Sequence, residues 1–327
     1  MPRSVSRSPS TVRVPARSTS WGSSAVSIQA LAPVIVGVLG YVGIGVALRL
    51  SGLMTVEDSK PLNTLLIWVA LPALVFNTVQ PARADAGMAV IPLLGWVIAV
   101  FGIGVAWLLA RAFRLQGPAA GAFILVAAFG NTAYIGYPVA SALLGDAGLV
   151  RAIFCDLFGN TAAIITVGAL IAGHHGEHDV KVNPLRELVT FPPFGALVIA
   201  LLLRSVEVPD AVSSWLGALG KLVIPMIMVS VGLSLKPKSM RERLGVLGAV
   251  AGVKLVLMPL VALALGSLLL KDEASLRILV LETGVPTMML TLVFGMKYRL
   301  DVDLIASAIL VTVIGAIVTI PLLQLLV

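Results

Sequence analysis

Ten apolar stretches dominate the chain, and each is about as long as a lipid bilayer is thick. A stretch of roughly 18–25 apolar residues crosses the ~30 Å hydrocarbon core as an α-helix. Of the 327 residues, 58% are hydrophobic and 12% are charged, whereas soluble domains are about 25% charged. The loops between stretches are too short for a soluble domain, so we predict an all-α integral membrane protein with about ten transmembrane helices. The stretches lie at about 27–49, 61–80, 87–110, 118–144, 147–173, 188–204, 210–235, 244–270, 274–297 and 302–327.

Two of these stretches resemble each other and are interrupted in the same way. Residues 124–138 and 278–292 both begin Ile-Leu-Val, have Gly at the seventh position and contain a proline further on. Glycine and proline open a helix and leave backbone groups unpaired, which is tolerated at membrane depth only inside protein or beside a cavity. Paired breaks in two halves of a chain are typical of the binding sites of transporters.

The similarity extends to the flanking spans. Leu71-Pro72 in the second stretch matches Ile224-Pro225 in the seventh, and an Asp-containing turn follows each broken stretch. The repeating unit therefore contains five spans, and an odd number places the second copy upside down. We predict two inverted five-helix repeats, at 27–173 and 188–327, with crossed broken helices 4 and 9.

The breaks suggest a site for a small organic anion. Half-helix N-termini present unpaired N–H groups and a partial positive charge, which suit a carboxylate. Asn131 and Thr132 add neutral donors, and Tyr134 and Tyr137 are positioned to pack against an apolar part of the substrate. The alternatives are that Asn131 only satisfies the opened backbone and that the tyrosines only pack. The predicted site is completed by Pro138, Gly284, Val285, Pro286 and Thr287.

A few ionisable side chains fall inside the predicted spans, where an unpaired charge costs several kcal/mol. Glu282 is a candidate carrier of a coupled Na⁺ or proton, and Lys254 is a candidate partner for the anion or for a carboxylate. Asp156 and Asn160 lie one turn apart on the fifth span, Asp156 as a structural acid and Asn160 as a core-lining amide. A structural Lys–acid pair is the alternative for Lys254 and Glu282.

Other functions fit the residues less well. The three histidines all lie in His174–His178, beside Asp179, in a predicted loop, so we expect no metal site and no intramembrane nucleophile–base pair. No phosphate-binding loop is present, and no cofactor is predicted. The single cysteine, Cys155, excludes an intrachain disulfide. Inverted repeats with broken helices favour a carrier over a channel or receptor.

Loop charges predict the orientation. Twelve basic residues lie on one side (Arg49, Lys60, Arg111, Arg114, Lys181, Arg186, Lys236, Lys238, Arg241, Arg243, Lys297, Arg299) and six on the other (Arg83, Arg151, Arg204, Lys221, Lys271, Arg277). The positive-inside rule places the twelve in the cytoplasm and both termini outside. Residues 1–26, Ser-rich with four arginines, contradict this and are interpreted as a disordered or mis-assigned tail. We explain the net charge of +7 by topology and lipid contact, rather than by nucleic-acid binding.

Five segments resemble the auxin efflux carrier family, which includes bacterial permeases and the plant auxin carriers. They are 68–76, 130–138, 224–235, 254–259 and 286–307, and the likeness extends from about residue 27 to the end. The resemblance implies an elevator-type carrier of organic anions, with a panel of spans 1, 2, 6 and 7 and a moving core of spans 3–5 and 8–10. The long central loop of the plant carriers is missing, so a dicarboxylate is as consistent as auxin.

The expected function is therefore transport of small organic anions across a cell membrane, the inner membrane in a bacterium. The expected partners are the anion, membrane lipid, a coupling Na⁺ or H⁺ if transport is coupled, and a second copy if the unit is a homodimer. The alternative is a Na⁺- or proton-coupled symporter of the bile-acid type, which has the same crossed-helix plan.

Overall fold

A computed structural model describes residues 28–82, 86–176, 183–234 and 243–327, and within these ranges the secondary structure is helical apart from one isolated β-bridge. The tail at 1–26, the loop residues His178 and Asp179, and most of the basic run at 236–243 lie outside them. The helices are α1 Ile28–Leu50, α2 Ser59–Val79, α3 Val90–Ala112, α4 Gly117–Ala128, α5 Thr132–His175, α6 Pro184–Val189, α7 Pro192–Leu202, α8 Asp210–Lys221, α9 Val223–Ser234, α10 Leu244–Leu269, α11 Glu273–Gly284, α12 Leu290–Lys297 and α13 Val302–Gln324.

Six helical runs in the described part of the chain are long and apolar enough to cross a membrane, which confirms the membrane-protein class. They are α2, α3, α5, α10, α13 and Asp210–Ser230, which combines α8 with most of α9. Shorter helices occupy 118–144 and 274–297, where breaks were predicted. The predicted span at 188–204 is not one continuous helix. A new helix starts at Pro192 and Pro193, because proline is best accommodated in the first turn of a helix.

Three internal prolines are accommodated by a widened helical turn. Pro72, Pro138 and Pro259 each lie two residues beyond a π-helical segment, at Leu66–Ala70, Thr132–Gly136 and Val253–Leu257. A proline has no N–H and its ring clashes with the carbonyl of the preceding turn, and a π turn relieves both problems. The helices therefore continue past these prolines.

The long helix α5 reverses direction at Gly145. This residue has φ 60° and ψ −149°, a conformation that disfavours any side chain, and it divides α5 into a first arm (132–144) and a second arm (146–175). Tyr137 in the first arm donates a hydrogen bond to Asp156 in the second at 2.6 Å, so the two arms pack side by side.

The helices form two packed groups. In one group α1 packs on α9 and α2 packs on α7 and α8; in the other, α3 contacts α4 and the second arm of α5, and α10 packs on α11. In the first group, α1 and α9 approach each other closely at two glycines, Gly45 and Gly232. A Cβ atom on Gly45 would lie 2.2 Å from the carbonyl oxygen of Val229, and one on Gly232 would lie 2.2 Å from that of Val42. Small residues allow such backbone contact between membrane helices.

Gly45→Ala is expected to lower the free energy of unfolding by about 1–3 kcal/mol, because the added methyl group overpacks the α1–α9 contact. Thermal unfolding of the purified protein in detergent measures the effect. Gly40→Ala is the matched control on the same helix, where a Cβ atom meets nothing within 4 Å. Equal melting temperatures for the two variants would contradict the contact.

Candidate functional site

The two helix breaks cross and satisfy each other's backbone. Between α4 and α5 the chain is extended at Phe129, and between α11 and α12 it is extended at Val285. The two segments meet in an antiparallel bridge between Gly130 and Thr287. The Asn131 N–H donates to the Pro286 carbonyl at 2.7 Å, and the Met288 N–H donates to the Phe129 carbonyl at 3.0 Å. Each break thus supplies the hydrogen-bond partners that the other has lost.

Side chains from neighbouring helices complete the crossing. The Thr287 hydroxyl donates to the Val126 carbonyl at 2.7 Å, at the end of α4. Asn160 accepts from the Gly130 N–H at 3.3 Å and donates to its carbonyl at 2.8 Å. The Lys254 amine donates to the Thr283 carbonyl at 2.7 Å, at the C-terminal end of α11.

A narrow central cavity lies on one side of the crossing. Its volume is about 30 Å³, enough for one or two water molecules. The crossing side of its wall is Asn131, Ala133, Tyr134, Tyr137, Asp156, Leu157, Thr161, Met288 and Leu290. The opposite wall is Ile67, Leu71 and Val75 of α2 together with Phe191 and Pro193. The central cavity therefore separates the two packed groups of helices.

One residue of the cavity wall has a buried donor that no described residue uses. Asn131 is 2% exposed, and its Nδ2 has no hydrogen-bond partner among the described residues. The first N–H groups of α5, which begins at Thr132, have no carbonyl partner within the helix. A free amide donor beside a helix N-terminus is a suitable environment for a carboxylate.

A second small cavity, of about 20 Å³, contains both Lys254 and Glu282. Glu282 is 2% exposed, and neither carboxylate oxygen has a hydrogen-bond partner among the described residues. The carboxylate lies against the backbone of Gly136, where a Cβ atom would be 2.3 Å from Oε2. The structure thus places a buried acid and a buried base around one cavity, with the amine bonded to Thr283.

A third cavity, the outer cavity, is much larger, at about 550 Å³. Its wall includes Thr78 of α2 and Val150 and Arg151 of α5. Thr78 lies one helical turn beyond Val75, which lines the central cavity. The two cavities are therefore neighbours along α2.

The predicted site residues lie around two cavities, at the crossing and, for Pro138, inside α5. Asn131, Tyr134, Tyr137 and Asp156 line the central cavity, whereas Thr132, Asn160, Lys254 and Glu282 line the second. Gly284, Val285, Pro286 and Thr287 lie in or next to the crossing, and Pro138 is buried in α5. The second break contributes Met288 and Leu290 to the wall of the central cavity, rather than the predicted residues. Sequence reasoning missed these two and the α2 wall, although Leu71 stands beside the repeated proline.

The sequence matches the family model described as "Membrane transport protein" over residues 26–324. An uncharacterized transporter of Methanocaldococcus jannaschii is 33% identical over 290 residues, which cover 85% of this chain and 93% of that protein. An uncharacterized transporter of Methanothermobacter thermautotrophicus is 30% identical over 293 residues, 88% of this chain and 95% of that protein. A Rhizobium meliloti protein named "Putative malonate transporter" is 26% identical over 275 residues, 79% of this chain and 84% of that protein.

Lys254→Met is expected to destabilise the fold by about 1–3 kcal/mol, because it leaves the Thr283 carbonyl unpaired and Glu282 without a nearby positive charge. If the two charges are coupled, Lys254→Met combined with Glu282→Gln costs less than the sum of the single variants. Thermal unfolding of the native protein, the two single variants and the double variant gives this double-mutant cycle. Lys221→Met, at an exposed lysine, is the control and is expected to be near neutral. Strict additivity would contradict the coupling.

Proposed function

The chain belongs to the membrane transport protein family, which confirms its resemblance to the auxin efflux carriers, and from this we propose that it is a secondary carrier of small organic anions. The observation that carries the proposal is Asn131, which lines the central cavity at the crossing of the helix breaks and whose buried Nδ2 donor has no partner among the described residues. The donor is neutral, so the empty site does not have to bury a counter-charge for its anionic substrate.

The proposed mechanism is of the elevator type. The panel is the group of α1, α2, α7, α8 and α9, and the moving core contains the crossing and the helices around it. Two observations support this division: the panel helices pack on one another, and the central cavity lies between α2 and the crossing. We propose ten spans in two inverted repeats, with both termini outside, because inverted repeats are typical of alternating-access carriers.

Substrate binding requires the central cavity to widen. A volume of about 30 Å³ is too small for a dicarboxylate or an indole acid, so the walls must separate by movement of the core against the panel. The outer cavity, one turn along α2, is the proposed access route from one side of the membrane.

Export by uniport needs no coupling ion. A monovalent anion that leaves a cell with negative interior potential gains about 2.3 kcal/mol per 100 mV. This is enough for roughly a forty-fold gradient. A malonate-like dicarboxylate is one candidate substrate, because the Rhizobium meliloti relative is named for malonate transport, and an auxin-like acid is the other.

A Na⁺- or proton-coupled symporter is the second candidate, and Glu282 is the observation that favours it. A buried carboxylate whose two oxygens have no partner among the described residues is a potential site for a proton or a small cation. It lies beside Thr132 in the second cavity, separate from the proposed anion site.

Flux in proteoliposomes separates these two functions. A panel of labelled anions (malonate, malate, other short dicarboxylates, indole-3-acetate) is tested with an imposed potential, a Na⁺ gradient or a proton gradient. The uniporter is expected to move one anion with potential alone. Movement only with a cation gradient, lost in Glu282→Gln, would establish the symporter instead. No movement of any anion under any gradient would contradict the proposed function.

Asn131→Ala is expected to reduce transport at least ten-fold, because it removes the free amide donor, while the melting temperature stays the same since Nδ2 supports no described contact. Asn131→Asp has nearly the same size as the native residue but adds a negative charge, and it is expected to transport less than the alanine variant. Flux and thermal unfolding are measured on the same preparations. Unchanged kinetics in Asn131→Ala would rule out this site.

A further inference from the structure

The cavity proposed for an anion contains an acid. Asp156 is 1% exposed and lines the central cavity, and no lysine, arginine or histidine is among the described residues of its wall. Lys254 lies in the second cavity and is bonded to Thr283. A carboxylate in this position repels a second negative charge, so its presence has to be explained by what the cavity binds.

The hydrogen bonds around Asp156 show which lone pairs are used. Asn160 Nδ2 donates to the Thr132 hydroxyl oxygen at 3.0 Å, and the Thr132 hydroxyl donates to Asp156 Oδ1 at 2.6 Å. Thr161 also donates to Oδ1 at 2.6 Å, and Tyr137 donates to Oδ2 at 2.6 Å. Asp156 therefore acts as an acceptor. Since each oxygen has two lone pairs, Oδ1 is saturated and Oδ2 retains one acceptor position.

The central cavity thus presents two unlike polar ends. Asn131, beside the N-terminus of α5, has an amide donor without a described partner, and Asp156 has one acceptor position without a described donor; both residues line the cavity. Asn131 and Asp156 lie on the same, crossing side of the cavity wall, so one short molecule bound there would be within reach of both. A carboxylate fits the Asn131 end, and a hydrogen-bond donor fits the Asp156 end. A fully ionised dicarboxylate would place its second charge against the Asp156 carboxylate.

We infer that Asp156 is a specificity-determining residue that accepts a hydrogen bond from the substrate, and that the substrate is a short monoanion with a carboxylate at one end and a hydrogen-bond donor at the other. A singly protonated dicarboxylate and a dicarboxylic monoamide both have this chemistry. The inference rests on the proposed function, and it names the substrate class of the same site.

Three probes of similar size test the inference in proteoliposomes: malonate, its monoamide malonamate and its monomethyl ester. Malonamate is a monoanion with a permanent donor, so its flux is expected to be independent of pH. Malonate flux is expected to fall about ten-fold per pH unit above its second ionisation, because the monoanion falls by that factor. The ester has the same charge as malonamate but no donor, and its flux is expected to be at least ten-fold lower.

Asp156→Asn tests whether Asp156 accepts a hydrogen bond from the donor group of the substrate. The oxygen of the introduced amide can still accept from the threonines, but the substitution removes the negative charge. The preference for malonamate over the ester and the pH dependence of malonate flux are therefore both expected to decrease. Tyr137→Phe removes one donor to Oδ2 but keeps the carboxylate, and it is expected to retain the preference whatever its absolute rate. Thermal unfolding confirms that both variants fold; if Asp156→Asn does not, the three-probe comparison in the native protein decides.

The outcomes distinguish a failure of this inference from a failure of the proposed transport function. Equal flux of malonamate and ester, or malonate flux that follows the dianion, overturns the inference while transport itself stands. Flux of indole-3-acetate with none of the three probes also overturns it, because the indole acid is too large to be the short monoanion that the inference names. If no anion of the wider panel moves, the proposed function fails as well.

Discussion

The exchange of backbone hydrogen bonds between the two helix breaks is the interaction on which the site depends. A single broken helix at membrane depth leaves N–H and C=O groups that lipid cannot satisfy. Here Asn131 and Met288 donate across the crossing, and the side chains of Asn160, Lys254 and Thr287 bind carbonyl groups at or near it. The backbone is satisfied in this way without the Asn131 side chain, whose Nδ2 has no partner among the described residues.

The crossing also separates two chemical environments. On one side, the central cavity combines apolar walls with one free donor and one acceptor, which is suited to a small amphipathic anion. On the other, Lys254 and Glu282 share a smaller cavity whose wall is formed by α3, α4, α5, α10 and α11. Thr132 lines the second cavity and donates to Asp156 in the first, so one hydroxyl links the two. This link is a physical route by which a proton or cation at Glu282 would influence the groups that line the central cavity.

Much of this arrangement could be predicted from the sequence. Gly130 and Pro286 mark both breaks, and apolar length gives the membrane class. The pairing of Gly130 with Thr287 could not be predicted, because it depends on a contact between residues 157 positions apart (287 − 130). From the sequence, Asp156 is interpreted as structural, because a small shift in the bounds of the fifth span would place it near a membrane interface. It reaches the cavity only because the helix reverses at Gly145, and the α2 wall is likewise a product of tertiary packing.

The central claim is that the anion binds at the crossing of the breaks, and a structure with a bound anion tests it most directly. A brominated short dicarboxylate, located by its anomalous scattering in a crystal, marks the position without reliance on transport activity. The account predicts the bromine in the central cavity, with the carboxylate on Asn131 and the N-terminus of α5. Occupancy confined to the cavity of Lys254 and Glu282, or to the outer cavity beside Arg151, would contradict it.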